Sequence, residues 1–314
     1  MSTLSCSIII RAYNEEAHIG RLLQGIQQQH LQKNQVIVVD SGSTDDTREI
    51  ASRYPVEIVQ VDPQDFSFGR SLNVGIAHAT SPLIVIASAH VYPVYPDWLE
   101  KLLEPFADER TALTYGKQRG AESTHFSENQ IFHHWFPDRS ITNQSFPFCN
   151  NANAAIRREL WQQHAYDETL PGLEDLEWGK WAMAQGYGIS YCAEAEVIHV
   201  HNESLAGIYN RYKREGMAFK RIYPAETFSV SDLNRSFVQN VWNDWKEARR
   251  VKAFSANCWK IIGFRWRQFY GTYQGYRQSG PLTWELKKAF YYPRQSHPGE
   301  KQITPRDIQP IKYN

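Results

Sequence analysis

Short apolar runs and helical repeats alternate through the first third of the chain. Residues 6–10 (CSIII), 36–39 (VIVV), 56–61 (VEIVQV) and 83–89 (LIVIASA) read as strands. Between the first two, Ile19, Leu22, Leu23 and Ile26 recur at helical spacing, and Asn14 is placed to cap that helix ahead of Glu15 and Glu16. Ser43 or Thr44 is placed to cap the next, followed by Asp45 and Asp46. Residues 97–106 (DWLEKLLEPF) give a further amphipathic helix. This alternation predicts βαβ units on a parallel sheet, an α/β fold.

The pattern loosens over residues 111–150, rich in His, Phe and Asn, and reads as irregular structure around a cleft. Residues 174–201 restore a helix ending near Gly186 and then a strand, and beyond residue 205 the chain reads as helical, basic and aromatic. Charge sharpens that boundary. The net charge is zero, but residues 1–204 hold 14 Lys+Arg against 26 Asp+Glu, a balance of −12. The remaining residues hold 34 − 14 = 20 against 34 − 26 = 8, a balance of +12. Two parts are expected, 1–204 and 205–314.

Cys6, Cys149, Cys192 and Cys258 form no CxxC, which argues for reduced thiols in a cytoplasmic protein rather than a zinc knuckle or redox pair. The N-terminus lacks a basic, signal-like segment, and no run of about 18 apolar residues suggests a membrane span.

The strand at 36–39 ends on Asp40, in VVDSGSTDDT. An Asp there closes a turn or meets a ligand, because open α/β sheets bind ligands beyond the carboxyl ends of their strands. Arg11–Glu16 (RAYNEE) lies at another such end. Neither GxxxxGK[ST] nor GxGxxG is present, which disfavours a P-loop or dinucleotide site, and the GxGxRxxP loop of a sugar-phosphate nucleotidyltransferase is absent too.

Five ordered blocks, SIIIRAYNEEAHIGRLLQGI, QVIVVDSGSTDDT, GRSLNVGIAHATSPLIVIASAH, GLEDLEWGKWAMAQGY and AEVIHVHNES, resemble the family 2 inverting glycosyltransferases of GT-A fold, over residues 5–205. The resemblance implies a Rossmann-like, mostly parallel mixed sheet flanked by helices, with the C-terminal helical region as an extension. It implies a nucleotide-sugar donor, UDP- or dTDP-linked, contacted by Arg11, Tyr13, Glu15, Asp40, Arg70, Ser88, Ala89 and His90. Asp40 would accept from the base, and the Arg70 guanidinium would meet the diphosphate. Asp175 would be the general base on the acceptor hydroxyl, with Glu174 beside it.

The family's DxD, which holds Mg²⁺ or Mn²⁺, is replaced here by Ser88-Ala89-His90. His90 and His199 are candidate metal or phosphate ligands, with Mn²⁺ better suited to imidazole than Mg²⁺, and His201 shares the strand face of His199. Trp135, Phe146, Phe148, Asn150, Asn151 and Asn153 suit either a carbohydrate or lipid-linked acceptor, or a core. The basic, aromatic tail suits a lid on the acidic body or a peripheral contact with anionic membrane, far more than nucleic acid. A degenerate domain that binds a nucleotide sugar or a partner without turnover is the rival reading.

Overall fold

The computed structural model describes residues 5–278 and 308–313. Strand β1 (Cys6–Ala12) is followed by α1 (Ile19–Gln27), β2 (Asn34–Asp40), α2 (Thr47–Ser52), β3 (Glu57–Gln60), α3 (Phe68–Ala77) and β4 (Leu83–Ser88). The order β3-β2-β1-β4 is parallel throughout, with β1 central and buried on both faces. That burial explains the near-continuous apolar strands, because a parallel sheet covered by helices on both sides has no wet face.

Beyond β4 the sheet becomes mixed. β5 (Val91–Pro93), α4 (Trp98–Leu103) and β6 (Thr111–Gly120) lead to α5 (Phe126–Trp135) and β7 (Asn153–Arg157). After α6 (Arg158–Gln163) come α7 (Glu174–Ala184) and β8 (Gly188–His199). The order continues β4-β7-β6-β8-β5; β7 is antiparallel to β4 and β6, and β8 is parallel to β6. The expected α/β architecture, a mostly parallel mixed sheet flanked by helices, is what the chain forms. The expectation of irregular structure over 111–150 is corrected: it holds the long strand β6 and helix α5.

Two expected caps are also corrected. Asn14 adopts a left-handed conformation (φ 54°) and its Oδ1 accepts from Thr44 N at 2.8 Å, while α1 starts after His18. Helix α2 starts after Asp46, and Asp45 rather than Ser43 or Thr44 accepts from Thr47 N, at 3.1 Å. Both acids and amides here tie the loops after β1 and β2 together across the sheet end.

The C-terminal region is helical as expected, with α8 (Leu205–Ile222), α9 (Val230–Arg250) and α10 (Phe254–Arg277). Helices α8 and α10 cross at glycines: a Cβ on Gly216 would stand 2.7 Å from Thr272 O, and one on Gly271 2.6 Å from Tyr209 O. Only glycine permits that approach. The buried pair Arg265–Asp244 (2.8 Å) joins α10 to α9. Arg265 also reaches Ser127 O (3.4 Å), and Lys180 donates to Ile222 O (2.7 Å), so the extension packs on the α/β body. The part of the basic tail from 279 to 307 lies outside the described residues. Among the described residues, no helix is long and apolar enough to cross a membrane.

Candidate active site

A cleft of about 1980 Å³ opens at the carboxyl ends of β1 and β4, bounded by α7, the end of β8 and α8. Its size exceeds the roughly 300–1,000 Å³ of an ordinary ligand pocket, so it has room for two substrates.

One wall carries the acid pair. Leu173 takes a left-handed conformation (φ 56°), uncommon for a branched residue, and turns the chain so that Glu174 and Asp175 open α7 facing the cleft. Asp175 accepts from Asn151 N (3.0 Å) and from its neighbour Leu176 N (2.8 Å). Burial first, and the adjacent Glu174 charge second, push the Asp175 carboxyl up to about 7, against those two N–H groups and Arg11. Glu174 is placed differently: its Oε1 meets Arg11 Nη1 at 2.9 Å and accepts from Asn151 Nδ2 at 3.4 Å. The guanidinium offsets one charge of the pair. Asp175 is thereby a proton acceptor tuned near neutrality, the range in which a general base works best.

The facing wall carries imidazoles. His90 follows β4, and its Nδ1 lies 2.7 Å from Glu15 Oε1. Burial works to lower its pKa, but Glu15 and then Glu203 together more than offset this and the net shift is upward. His199 ends β8 with Nδ1 at 2.7 Å from Gln118 Oε1. Burial, then the neighbouring His201, His90 and Arg211, push His199 well below the usual imidazole range. His201 Nδ1 lies 3.0 Å from Glu128 Oε1, and its Nε2 is 3.0 Å from His199 Nε2. Burial opposes ionisation of Glu128, yet Arg211 (2.6 Å) and then His201 hold it well below the carboxylate range. One ring nitrogen each of His90, His199 and His201 lie within 4.8 Å of one another. The three imidazoles fit a borderline metal, and the carboxylates of Glu128 and Glu203 lie equally close to the His201 ring.

Of the residues expected at the donor, Arg11, Tyr13, Glu15, Ser88 and His90 line the cleft. Three do not. Asp40 is fully buried; its Oδ2 accepts from Gly42 N and Ser43 N, both at 3.1 Å, and closes a turn that Gly42 (φ 88°) makes. Arg70 lies outside the cleft lining, pairing with Glu168 (3.2 Å) and Asp65 (3.8 Å). Ala89 is buried in the core. Within the cleft, Arg11 spends its charge on Glu174, and Glu15 orients His90.

Other residues come together around the cleft. Arg214 of α8 and Arg11 each lie 4.8 Å from the Phe68 ring, flanking it in the cleft. Asn150 and Asn151 line the cleft, whereas Asn153 is core, bonded to Ala195 O (2.8 Å) and Lys117 O (3.2 Å). Trp135 stacks on Phe148 at 4.3 Å. Residues 310–313 return to the rim: Ile311 N donates to Val94 O (3.0 Å), Tyr313 OH to Pro93 O (2.5 Å), and the Arg21 guanidinium lies against the rings of both Tyr92 and Tyr313. Gln118, Glu128, Arg211 and Arg214 carried no sequence signal, since each is defined by a partner remote in the chain. His201 was signalled only by its alternation with His199.

The family model described as "Glycosyl transferase family 2" matches residues 7–164, half of the chain. The O-antigen chain rhamnosyltransferase WbaN of Salmonella anatum is 29% identical over 233 residues, 68% of this chain and 71% of that protein. Its counterpart RfbN of Salmonella typhimurium is 26% identical over 230 residues, 68% of this chain and 72% of that protein. Among solved structures, the Pyrobaculum calidifontis mannosyltransferase in complex with GDP-Man and Mn²⁺ superposes with a TM-score of 0.61 over 87% of this chain and 86% of its own, at 17% identity. Glucosyl-3-phosphoglycerate synthase of Mycobacterium tuberculosis, in complex with Mn²⁺, UDP and glucosyl-3-phosphoglycerate, gives a TM-score of 0.53 over 69% of this chain and 79% of its own, at 20% identity. These structural likenesses establish the GT-A fold.

Proposed function

This chain belongs to glycosyl transferase family 2, a glycosyltransferase family, and from that premise we propose that it transfers a sugar with inversion from a nucleoside-diphosphate donor to an acceptor hydroxyl. Asp175 takes the hydroxyl proton. As the acceptor oxygen forms its bond to the anomeric carbon, the bond from that carbon to the diphosphate breaks and the nucleoside diphosphate leaves. The observation that carries this reading is the unlike pair on α7: Glu174 held by Arg11, and Asp175 raised to about 7 in the cleft wall.

The donor lies between the ends of β1 and β4, where Tyr13 and Ser88 line the cleft. Its diphosphate meets the Arg214 guanidinium and the imidazole wall, because a buried diphosphate needs compensating charge or donors. His90, His199 and His201 are the residues that would hold a divalent metal, which when bound supplies Lewis-acid stabilisation of the leaving diphosphate. The names of the two Salmonella relatives, both O-antigen chain rhamnosyltransferases, support a rhamnosyl donor within polysaccharide, lipopolysaccharide or glycolipid synthesis; that the sugar is UDP- or dTDP-linked is carried by the family resemblance of the sequence blocks alone.

The extension from residue 205 serves as a second part of the site, since Arg211 and Arg214 of α8 reach into the cleft. A lipid-linked acceptor at the inner face of the membrane is favoured by an exposed set on α9 and α10: Val238, Trp242, Trp259 and Trp266, interleaved with Arg235, Lys246 and Lys260. Tryptophan beside cations suits an anionic interface.

Replacing Asp175 by Asn tests the reading. The amide keeps the shape and removes the base, so turnover falls by roughly 10² to 10⁴ while donor binding, read by thermal shift, persists. Full transfer activity in this variant would remove Asp175 from the base role.

A further inference from the structure

We propose that Trp135, Phe146 and Phe148 form a stacking platform for the sugar rings of a glycan chain, a binding site outside the cleft that leads the chain toward Asp175. That the bound glycan is the acceptor rests on the transfer reading above; the platform itself rests on the rings, their supports and their place beside the cleft.

The rings lie at the surface rather than in the core. Trp135 is 41% exposed and Phe146 43%. Phe148 is half-buried: it meets Tyr115 of the core at 5.6 Å and carries Trp135 stacked on it at 4.3 Å, the two planes 20° apart. Exposed aromatic area grouped in this way marks a contact surface.

The loop that presents them is irregular yet fixed from beneath. Gln144 is buried, its Nε2 donating to Phe146 O (2.7 Å) and Phe148 O (2.6 Å) while its Oε1 accepts from Tyr115 OH (2.8 Å). Ile141 pairs with Tyr191 of β8 in both directions (3.0 and 2.8 Å), and Tyr191 OH donates to Pro137 O (2.7 Å). The rings are therefore held in place before any ligand arrives, which spares the ordering cost of binding.

The platform is continuous with the cleft along two chain segments. His133, two residues before Trp135, lines the cleft, as does Asn150, two residues after Phe148. Two residues span at most about 7 Å. The same loop reaches the base: Cys149 Sγ donates to Asp175 O (3.3 Å), Asn151 N to Asp175 Oδ2 (3.0 Å), and a Cβ on Gly179 of α7 would stand 2.8 Å from Pro147 O.

The surroundings favour a glycan over a membrane. A sugar ring offers a face of C–H groups, drawn to the negative face of an aromatic ring, and an edge of hydroxyls that needs polar partners. The exposed neighbours supply those partners: His134, whose ring meets Trp135 edge-on at 5.2 Å, with Asp138, Arg139, Ser140, Thr142 and Glu194. Their charges are mixed, unlike the cations among the tryptophans of α9 and α10, so this patch has no attraction for anionic lipid.

The test titrates the full ¹⁵N-labelled chain with short O-antigen oligosaccharides, the glycan class in the names of the two Salmonella relatives. The Trp135 indole N–H resonance, assigned by its loss in Trp135→Phe, should shift on titration, and saturating UDP should leave that shift in place. Trp135→Ala and Phe146→Ala should each weaken binding about tenfold with unchanged circular dichroism. Should one variant misfold, the other and the parent's own resonance still decide. An unmoved Trp135 resonance, undiminished affinity in a folded variant, displacement by UDP, or a resonance that answers to anionic vesicles or to protein concentration instead would overturn the platform. Turnover does not enter this readout, so a protein that binds oligosaccharide here yet transfers no sugar supports the platform and counts against the transfer reading alone.

Discussion

Arg11 Nη1 stands 2.9 Å from Glu174 Oε1, and this one contact separates the duties of two neighbouring acids at the start of α7. Two adjacent buried carboxylates repel, and a fixed cation on one of them makes the pair unlike: Asp175, without that contact, is the one whose carboxyl burial and the Glu174 charge push up. Arg11 comes from the end of β1 and Glu174 from a turn strained at Leu173, so the pairing exists only in the folded chain.

Removing Arg11 should therefore cost more than its own contacts. Arg11→Met leaves Glu174 nearly buried without its partner, and stability is expected to fall by about 3 kcal/mol. The double variant Arg11→Met/Glu174→Gln should recover most of that loss in urea denaturation. Equal stability of the single and double variants would show that the pair is not coupled.

Asp175 sets a pH dependence whose sign is fixed. Its carboxyl, raised from 3.8 to about 7, is protonated and inert as a base at low pH, so kcat/KM should rise through about pH 7 and then level. Stability runs the other way. The folded state holds a proton that the unfolded state has released, so the contribution is full below about pH 4 and is lost as pH rises through 7. Asp175→Asn should thus melt higher than the parent at pH 8, with the difference shrinking toward pH 4. A variant that melts lower at pH 8 would contradict the buried-charge account.

The exposed tryptophans of α9 and α10 lead to a vesicle measurement. The intact protein should float with anionic vesicles at low salt and less so at high salt, because the attraction is screened. Trp242→Ala/Trp259→Ala should reduce flotation without changing the fold, both side chains being exposed (51% and 79%). Equal flotation with neutral and anionic vesicles would exclude an electrostatic contact.

Tyr313 offers a check on the C-terminal segment at the cleft rim. Tyr313→Phe keeps the ring against Arg21 and Tyr92 and loses the bond to Pro93 O, for an expected cost of about 1 kcal/mol. Tyr313→Ala loses the packing as well and should cost about 3 kcal/mol. Both are read by denaturation of the full chain, and no change in either would mean that the segment does not stay docked.

The sequence by itself determined the α/β class, the strands and helices of the first third, the helix and strand spanning residues 174–199, and the family. All of these rest on periodicity or on ordered local blocks, which a chain displays before it folds. It also marked Asp175, His90 and His199 as candidates, through the family resemblance of the blocks that carry them. Strand β6 was hidden, since its polar Lys117, Gln118 and Arg119 find partners at Asp138, Glu196, His199 and Phe136 that no local pattern announces. The intramolecular partners of Asp40 and Arg70 were hidden as well: Asp40 closes a turn on Gly42 and Ser43, and Arg70 pairs with Glu168 and Asp65. Only tertiary structure could decide that Arg11 serves Glu174, that Glu15 serves His90, and that Glu128 and Arg211 stand behind His201. Each of these depends on a charge finding its partner dozens of residues away, and the strength of such a pair is set by burial, which exists only once the chain has folded.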